Sequence, residues 1–200
     1  MFHENVNIMK KFSFLFVANM LLFSIGAEAQ EKWSLEFRPG LNFPTGDVGN
    51  TDTKIGFGFE LTGAYKIMPH FAVYAGWGLN EFKGDDNFLT EELTLKETGY
   101  TFGFQIIKPI GTSAFSYLAR AGAVYNHIEV ENNSGSITAD TGHGFGWQVA
   151  AGVDYEFAPN LALRPMLRYR SLSRDITIEN TSTELKLNYI SFGIGLALDF

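Results

Sequence analysis

The sequence predicts an all-β protein, an eight-stranded antiparallel up-and-down transmembrane β-barrel. Three observations predict it. From residue 30 onward apolar and polar residues alternate with a period of two, and no segment sustains a helical period. The chain carries 19 Phe, 8 Tyr, 3 Trp and 21 Gly, yet its mean hydropathy is only -0.01. Tight connections alternate with longer polar ones along the chain, as they do in barrels that cross a membrane. A bundle of membrane helices would be far more apolar, and 46% hydrophobic residues is too many for a disordered chain.

The first segment reads as an export signal. Lys10 and Lys11 form a basic start, Phe12 to Ile25 is apolar and uncharged, and Ala27-Glu28-Ala29 is a small-x-small cleavage box. The apolar run is short for a membrane helix, which needs roughly 20 residues. Residues 1–29 are therefore expected to be a cleaved signal peptide and residues 30–200 the barrel domain. Met9-Lys10-Lys11 is a more usual opening than Met1.

The strands follow in order. Trp33, Leu35, Phe37, Leu41 and Phe43 share one face, against Ser34, Glu36, Arg38, Gly40 and Asn42. Phe57, Phe59, Leu61 and Tyr65 oppose Gly58, Glu60, Thr62 and Lys66. Phe71, Val73, Ala75, Trp77 and Leu79 oppose Ala72, Tyr74, Gly76, Gly78 and Asn80. Tyr100, Phe102, Phe104 and Ile106 oppose Thr101, Gly103 and Gln105. Phe115, Tyr117, Ala119, Ala121, Ala123 and Tyr125 oppose Ser116, Arg120 and Asn126. The run from Phe145 to Phe157 places Trp147, Val149, Val153 and Tyr155 opposite Gln148, Gly152, Asp154 and Glu156. Leu161, Leu163, Leu167 and Tyr169 oppose Arg164, Arg168 and Arg170. The last run sets Ile190, Phe192, Ile194, Leu196, Leu198 and Phe200 against Ser191, Gly193, Gly195, Ala197 and Asp199. One break in parity, between Leu93/Leu95 and Tyr100/Phe102, predicts a bulge or a late strand start.

Pro69-His70, Lys108 to Gly111 and Ala158-Pro159-Asn160 are short connections; Gly46–Lys54, Lys83–Glu92, Glu131–Gly142 and Arg174–Thr183 are expected to be long polar loops. Short turns in the periplasm and long loops outside put both termini in the periplasm. A soluble sandwich or lipocalin-like barrel would point the apolar face inward. Here the polar face is rich in Gly, Ala and Ser mixed with charges of both signs, which suits a narrow filled lumen. The apolar face carries all three Trp, which suits an aromatic girdle at the lipid interface. The girdle is assigned to Trp33, Trp77, Trp147, Tyr65 and Tyr155.

With Cys 0 the chain has no disulfide, no lipid-anchoring cysteine and no thiolate metal site. A net charge of -7 excludes an ordinary nucleic-acid binder.

The terminal strand, Tyr189 to Phe200, alternates and closes on an aromatic residue. With Phe192 and Phe200 it resembles the C-terminal assembly signal of outer-membrane barrels. The whole mature chain is similar to small eight-stranded outer-membrane barrels of the OmpA-domain and OmpX type, and its Gly/aromatic texture to the Bacteroidetes-type "outer membrane protein beta-barrel domain". That resemblance implies a Gram-negative outer membrane, contact with its lipid and lipopolysaccharide, and the barrel-assembly machinery as a partner during insertion. It does not select an activity, since such barrels serve as anchors, adhesins, enzymes and channels.

Ionisable residues gather on the inward face: Glu36, Arg38, Glu60, Lys66, Arg120, Asp154, Glu156, Arg164, Arg168 and Arg170. In a narrow lumen an unpaired charge is costly, so these are expected to pair and plug the barrel. Glu36, Arg38, Glu60, Arg120, Asp154 and Arg168 lead that assignment. A pore opened by exchange of partners is the alternative, and eight strands leave little room for one. His127 and His143 near the outer end, with Ser and an acid nearby, would suit lipid A deacylation, since a Ser nucleophile needs a base beside it; the His-x-Ser pattern of the barrel family that deacylates lipid A is absent, because His127 is followed by Ile128 and Glu129. Gly142 to Gly146 resembles a phosphate or oxyanion loop, but no helix follows it, so its glycines are expected to ease strand curvature or to make room for bulky lumen neighbours. The acidic loop residues Asp85, Asp86, Glu91, Glu92, Glu129, Glu131 and Asp140 have no calcium-loop spacing. The expectation is a monomeric, non-catalytic structural or surface-interaction barrel, with no cofactor and no metal. A narrow channel or transporter of small or apolar solutes is the second reading, and a lipid A-modifying enzyme the third.

Overall fold

The computed structural model describes residues 32–46, 54–84, 94–132, 134–178 and 181–200, and the side chains among them except those of 175–178 and 181–184. The expected signal peptide and most of the first two expected loops, with the acids at 85, 86, 91 and 92, lie outside the described residues.

The described chain forms nine strands: β1 (Trp33–Pro44), β2 (Gly56–Met68), β3 (Phe71–Lys83), β4 (Thr94–Pro109), β5 (Phe115–Glu131), β6 (Ile137–Asp140), β7 (Gly144–Ala158), β8 (Leu161–Ile178) and β9 (Thr181–Asp199). Eight of them close a ring in the order β1-β2-β3-β4-β5-β7-β8-β9, all antiparallel. The four-residue β6 stands outside the ring and pairs with the end of β5. Closure leaves no unpaired edge, the condition for crossing a bilayer with strands. The seam is tied at its end by two backbone hydrogen bonds between Trp33 and Phe200, of 2.9 and 2.8 Å.

Three tight turns sit at the same end as both described termini. The β2–β3 and β7–β8 turns place His70 and Asn160 at φ of 68° and 64°, and Gly111 takes φ 60° in the β4–β5 turn. Asn and Gly tolerate the left-handed region that such reversals require; His70 adopts it beside Pro69.

The opposite end differs from expectation in two places. β8 and β9 remain paired as far as Ile178 and Thr181, so most of the segment Arg174–Thr183 is ladder rather than loop. The segment Glu131–Gly142 contains β6. Nor does β4 contain a bulge: it runs in unbroken register against β3 and β5 from Thr94 to the turn. The parity break has another cause, which is the lining of the lumen at that end. Leu95 points inward, where it packs against Phe82, Val124, Ile128, Leu172, Leu185 and Leu187.

Outside, the apolar face is bare. Trp33, Phe37, Phe57, Phe104, Phe145, Trp147, Leu167 and Leu196 are among many large apolar side chains left exposed all round the ring. Inside, the buried residues are mostly polar or charged. This is the reverse of a water-soluble barrel, and lipid rather than water satisfies it.

The lumen as candidate functional site

Strand alternation sends Glu36, Arg38 and Asn42 of β1, Glu60 and Thr62 of β2, Asn80 of β3, Glu97 and Gln105 of β4, Arg120 and Asn126 of β5, Gln148 and Asp154 of β7, and four arginines of β8 into the barrel. These arginines, Arg164, Arg168, Arg170 and Arg174, occur on one strand at spacings that keep one face. The lumen they line is filled in layers.

Nearest the turn end, Arg164 bonds Asp154 through its Nε, Ser34 Oγ at 2.8 Å and Asp199 at 3.3 Å. Above it Glu36 gathers three guanidinium groups: Arg38, Arg120 at 2.6 Å and Arg164 at 3.4 Å. Arg120 also donates to Gln105 Oε1 at 2.7 Å and lies 5.3 Å over the Tyr74 ring. The next layer is Glu60, which accepts from Arg168 at 2.7 Å, Arg170 at 3.0 Å and Thr62 at 3.1 Å. Then comes Glu97, which accepts from Arg170 at 2.6 Å, Asn126 at 2.7 Å and Asn80 at 3.0 Å, and from the Tyr189 hydroxyl.

Six arginines are buried against four carboxylates, Glu36, Glu60, Glu97 and Asp154. Asp199 at the rim and neutral acceptors meet part of the excess positive charge. Gln148 Oε1 takes Arg170; Arg174 donates to Asn126 Oδ1 and, at 2.7 Å, to each of the carbonyls of Gly144 and Phe145. Gly144 leaves the space for this, because a Cβ there would lie 3.0 Å from Arg174 Nε.

Over the charged layers sits an apolar cap at the loop end, built from Phe82, Leu95, Val124, Ile128, Leu172, Leu185 and Leu187, with Tyr189 at the junction. Phe82 meets Tyr189 edge-on at 5.1 Å, and the Tyr189 hydroxyl turns down to Glu97. Charge pairs and apolar side chains thus occupy the same bore, one above the other.

Of the residues assigned from sequence, Glu36, Arg38, Glu60, Arg120, Asp154, Arg164, Arg168 and Arg170 share this network. Lys66 and Glu156 do not: both are exposed and line the open cavity at the turn end, because their strands reach the mouth there. Glu97, Arg174, Tyr189 and the cap were not foreseen. Glu97 was readable: counting back by twos from Gln105 places it on the inner face.

The aromatic assignments also separate. Trp33 packs on Tyr65 at 4.8 Å and Tyr155 on Phe115 at 4.7 Å, both at the turn end. Trp147 packs on Tyr169 at 5.4 Å toward the other end of β7. Trp77 stands midway along β3 beside Phe59, away from both strand ends. Phe192 and Phe200 lie on the exterior of β9 and just beyond it, both exposed.

A family model, that of the outer membrane protein beta-barrel domain, matches residues 15–200. The chain belongs to this family. Its place is accordingly the outer membrane. No curated protein matches the sequence. The fold is similar to that of the Neisserial surface protein A, with 16% identity, a TM-score of 0.57, and coverage of 87% of this chain and 100% of that one. It is also similar to the outer membrane protein OprG of Pseudomonas aeruginosa, with 14% identity, a TM-score of 0.54, and coverage of 85% and 97%. At such identities the likeness is one of fold.

Proposed function

We propose that this member of the family is a non-catalytic structural or surface-interaction barrel whose lumen is closed. The observation that supports this most is the double filling of the bore. Glu36, Glu60 and Glu97 each bind two or more cross-lumen groups, and the apolar cap covers the end that an aqueous solute would have to leave by. Opening a path would need several buried ion pairs to break together, and each broken pair leaves an uncompensated charge. The loop end, with the acidic β5–β6 extension, faces the exterior in this reading, and both termini face the periplasm. Outer-membrane lipid and lipopolysaccharide surround the apolar wall, the assembly machinery handles β9 together with the Phe200 that follows it, and the barrel works as a monomer.

Liposomes loaded with the refolded protein test the role directly. Suspended in an isotonic solution of a small sugar, they should swell no faster than empty ones. Rapid swelling would replace this reading with the narrow-channel one.

A further inference from the structure

On the outside of the barrel, at the loop end, β5 and β6 assemble a side-chain cluster that the lumen does not use. His127 and Glu129 alternate onto one face of β5, and Asp140 of β6 is the register partner of Glu129. His127 Nδ1 lies 3.4 Å from Asp140 Oδ1 and 3.9 Å from Glu129 Oε1. One donor atom from each of the three falls within 4.8 Å of the others.

Two carboxylates set directly opposite each other across a sheet repel. Lys96 of β4, opposite Glu129 on its other side, lies 2.6 Å from Glu131, so its one charge is shared between these carboxylates on β5. The imidazole nitrogen faces both carboxylates, and a metal ion held there would bring positive charge to each. The positions are also braced. Asp140 Oδ1 accepts the Gly142 N–H at 2.9 Å, in a turn where Gly142 takes φ 65°. The His127 ring stacks on His143 at 4.6 Å and 12°. Such outer contacts are what orient metal-binding side chains.

We propose that His127, Glu129 and Asp140 form a surface site for a divalent transition-metal ion of the zinc class, completed by water. One nitrogen and two carboxylate donors suit such an ion, whereas calcium and magnesium take oxygen-only shells. A tetrahedral ion with bonds of about 2.1 Å holds its donors about 3.4 Å apart, close to the spacing already present between His127 and Asp140. Spacing along the chain conceals the site, because Asp140 arrives only through the pairing of β6 with β5.

The test uses the untagged full-length barrel refolded in detergent micelles and Zn²⁺ alone as the probe, titrated against a chromophoric chelator. The expected result is one ion per chain with micromolar affinity, unaffected by excess Ca²⁺. His127→Ala and Asp140→Asn should each weaken binding by at least about tenfold. Both positions lie outside the lumen, and unboiled gel mobility checks that both variants fold. Absence of saturable binding, displacement by Ca²⁺, or equal affinity in the His127→Ala variant would each overturn the proposal.

Discussion

Arg170 on β8 reaches across the lumen to Glu97 on β4, Nη1 to Oε1, at 2.6 Å. The strands are not neighbours in the ring, so the pair braces the barrel from side to side. Arg170 is also held by Glu60 and Gln148, and Glu97 by Asn80, Asn126 and Tyr189. Glu97→Ala would leave Arg170 short of one carboxylate and would strip four donors of their shared acceptor. Loss of one partner from a buried pair costs about 3–5 kcal/mol. Urea unfolding in lipid vesicles should show a loss of that order, with Glu97→Gln milder because the amide oxygen still accepts.

The cap makes a separate contribution. Phe82 is fully buried and touches Tyr189. Phe82→Ala would remove the ring from the middle of the cap and should cost about 3–5 kcal/mol. The same unfolding measurement checks it. A cost near zero would mean that the cap collapses onto the space.

Glycines set how closely the wall can approach its own contents. Gly122 of β5 faces Gly103 of β4 in register, and a Cβ on Gly122 would lie 2.5 Å from the Tyr74 hydroxyl and 3.0 Å from Gly103 Cα. Gly122→Val should therefore push Tyr74 from Gln148 and cost about 1–3 kcal/mol through overpacking. Gly111→Ala, at a turn with open space but φ 60°, should be destabilised through the backbone alone.

The exterior assignment makes an optical prediction. Trp33, Trp77 and Trp147 are 53%, 38% and 51% exposed on the apolar wall. In vesicles containing lipids brominated on their acyl chains, the tryptophan fluorescence should be strongly quenched. An aqueous quencher should have little effect. Trp77, midway along its strand, should respond most to bromines placed deep in the chain.

Much of this architecture was legible in the sequence because an alternating strand with lipid on one side and a packed lumen on the other has only two faces to choose between. Glu36, Arg38, Glu60 and the β8 arginines fall on the inner face by counting alone. Counting failed where the inner face stops being polar. At the loop end Leu95, Leu185 and Leu187 point inward, so the apolar parity reverses while the backbone alternation does not, and the reversal imitated a bulge. Trp77 shows a second limit: an aromatic on the lipid side need not lie at an interface, and depth along the strand depends on register and tilt that a single strand does not carry. Asp140 shows a third, since it meets His127 only through cross-strand pairing.

A closed bore is the central property proposed for this barrel, and single-channel recording in planar bilayers tests it most directly. The folded wild-type protein should insert without producing discrete current steps at moderate voltage in concentrated salt. Reproducible steps of defined conductance from the wild-type protein would mean that the bore is open.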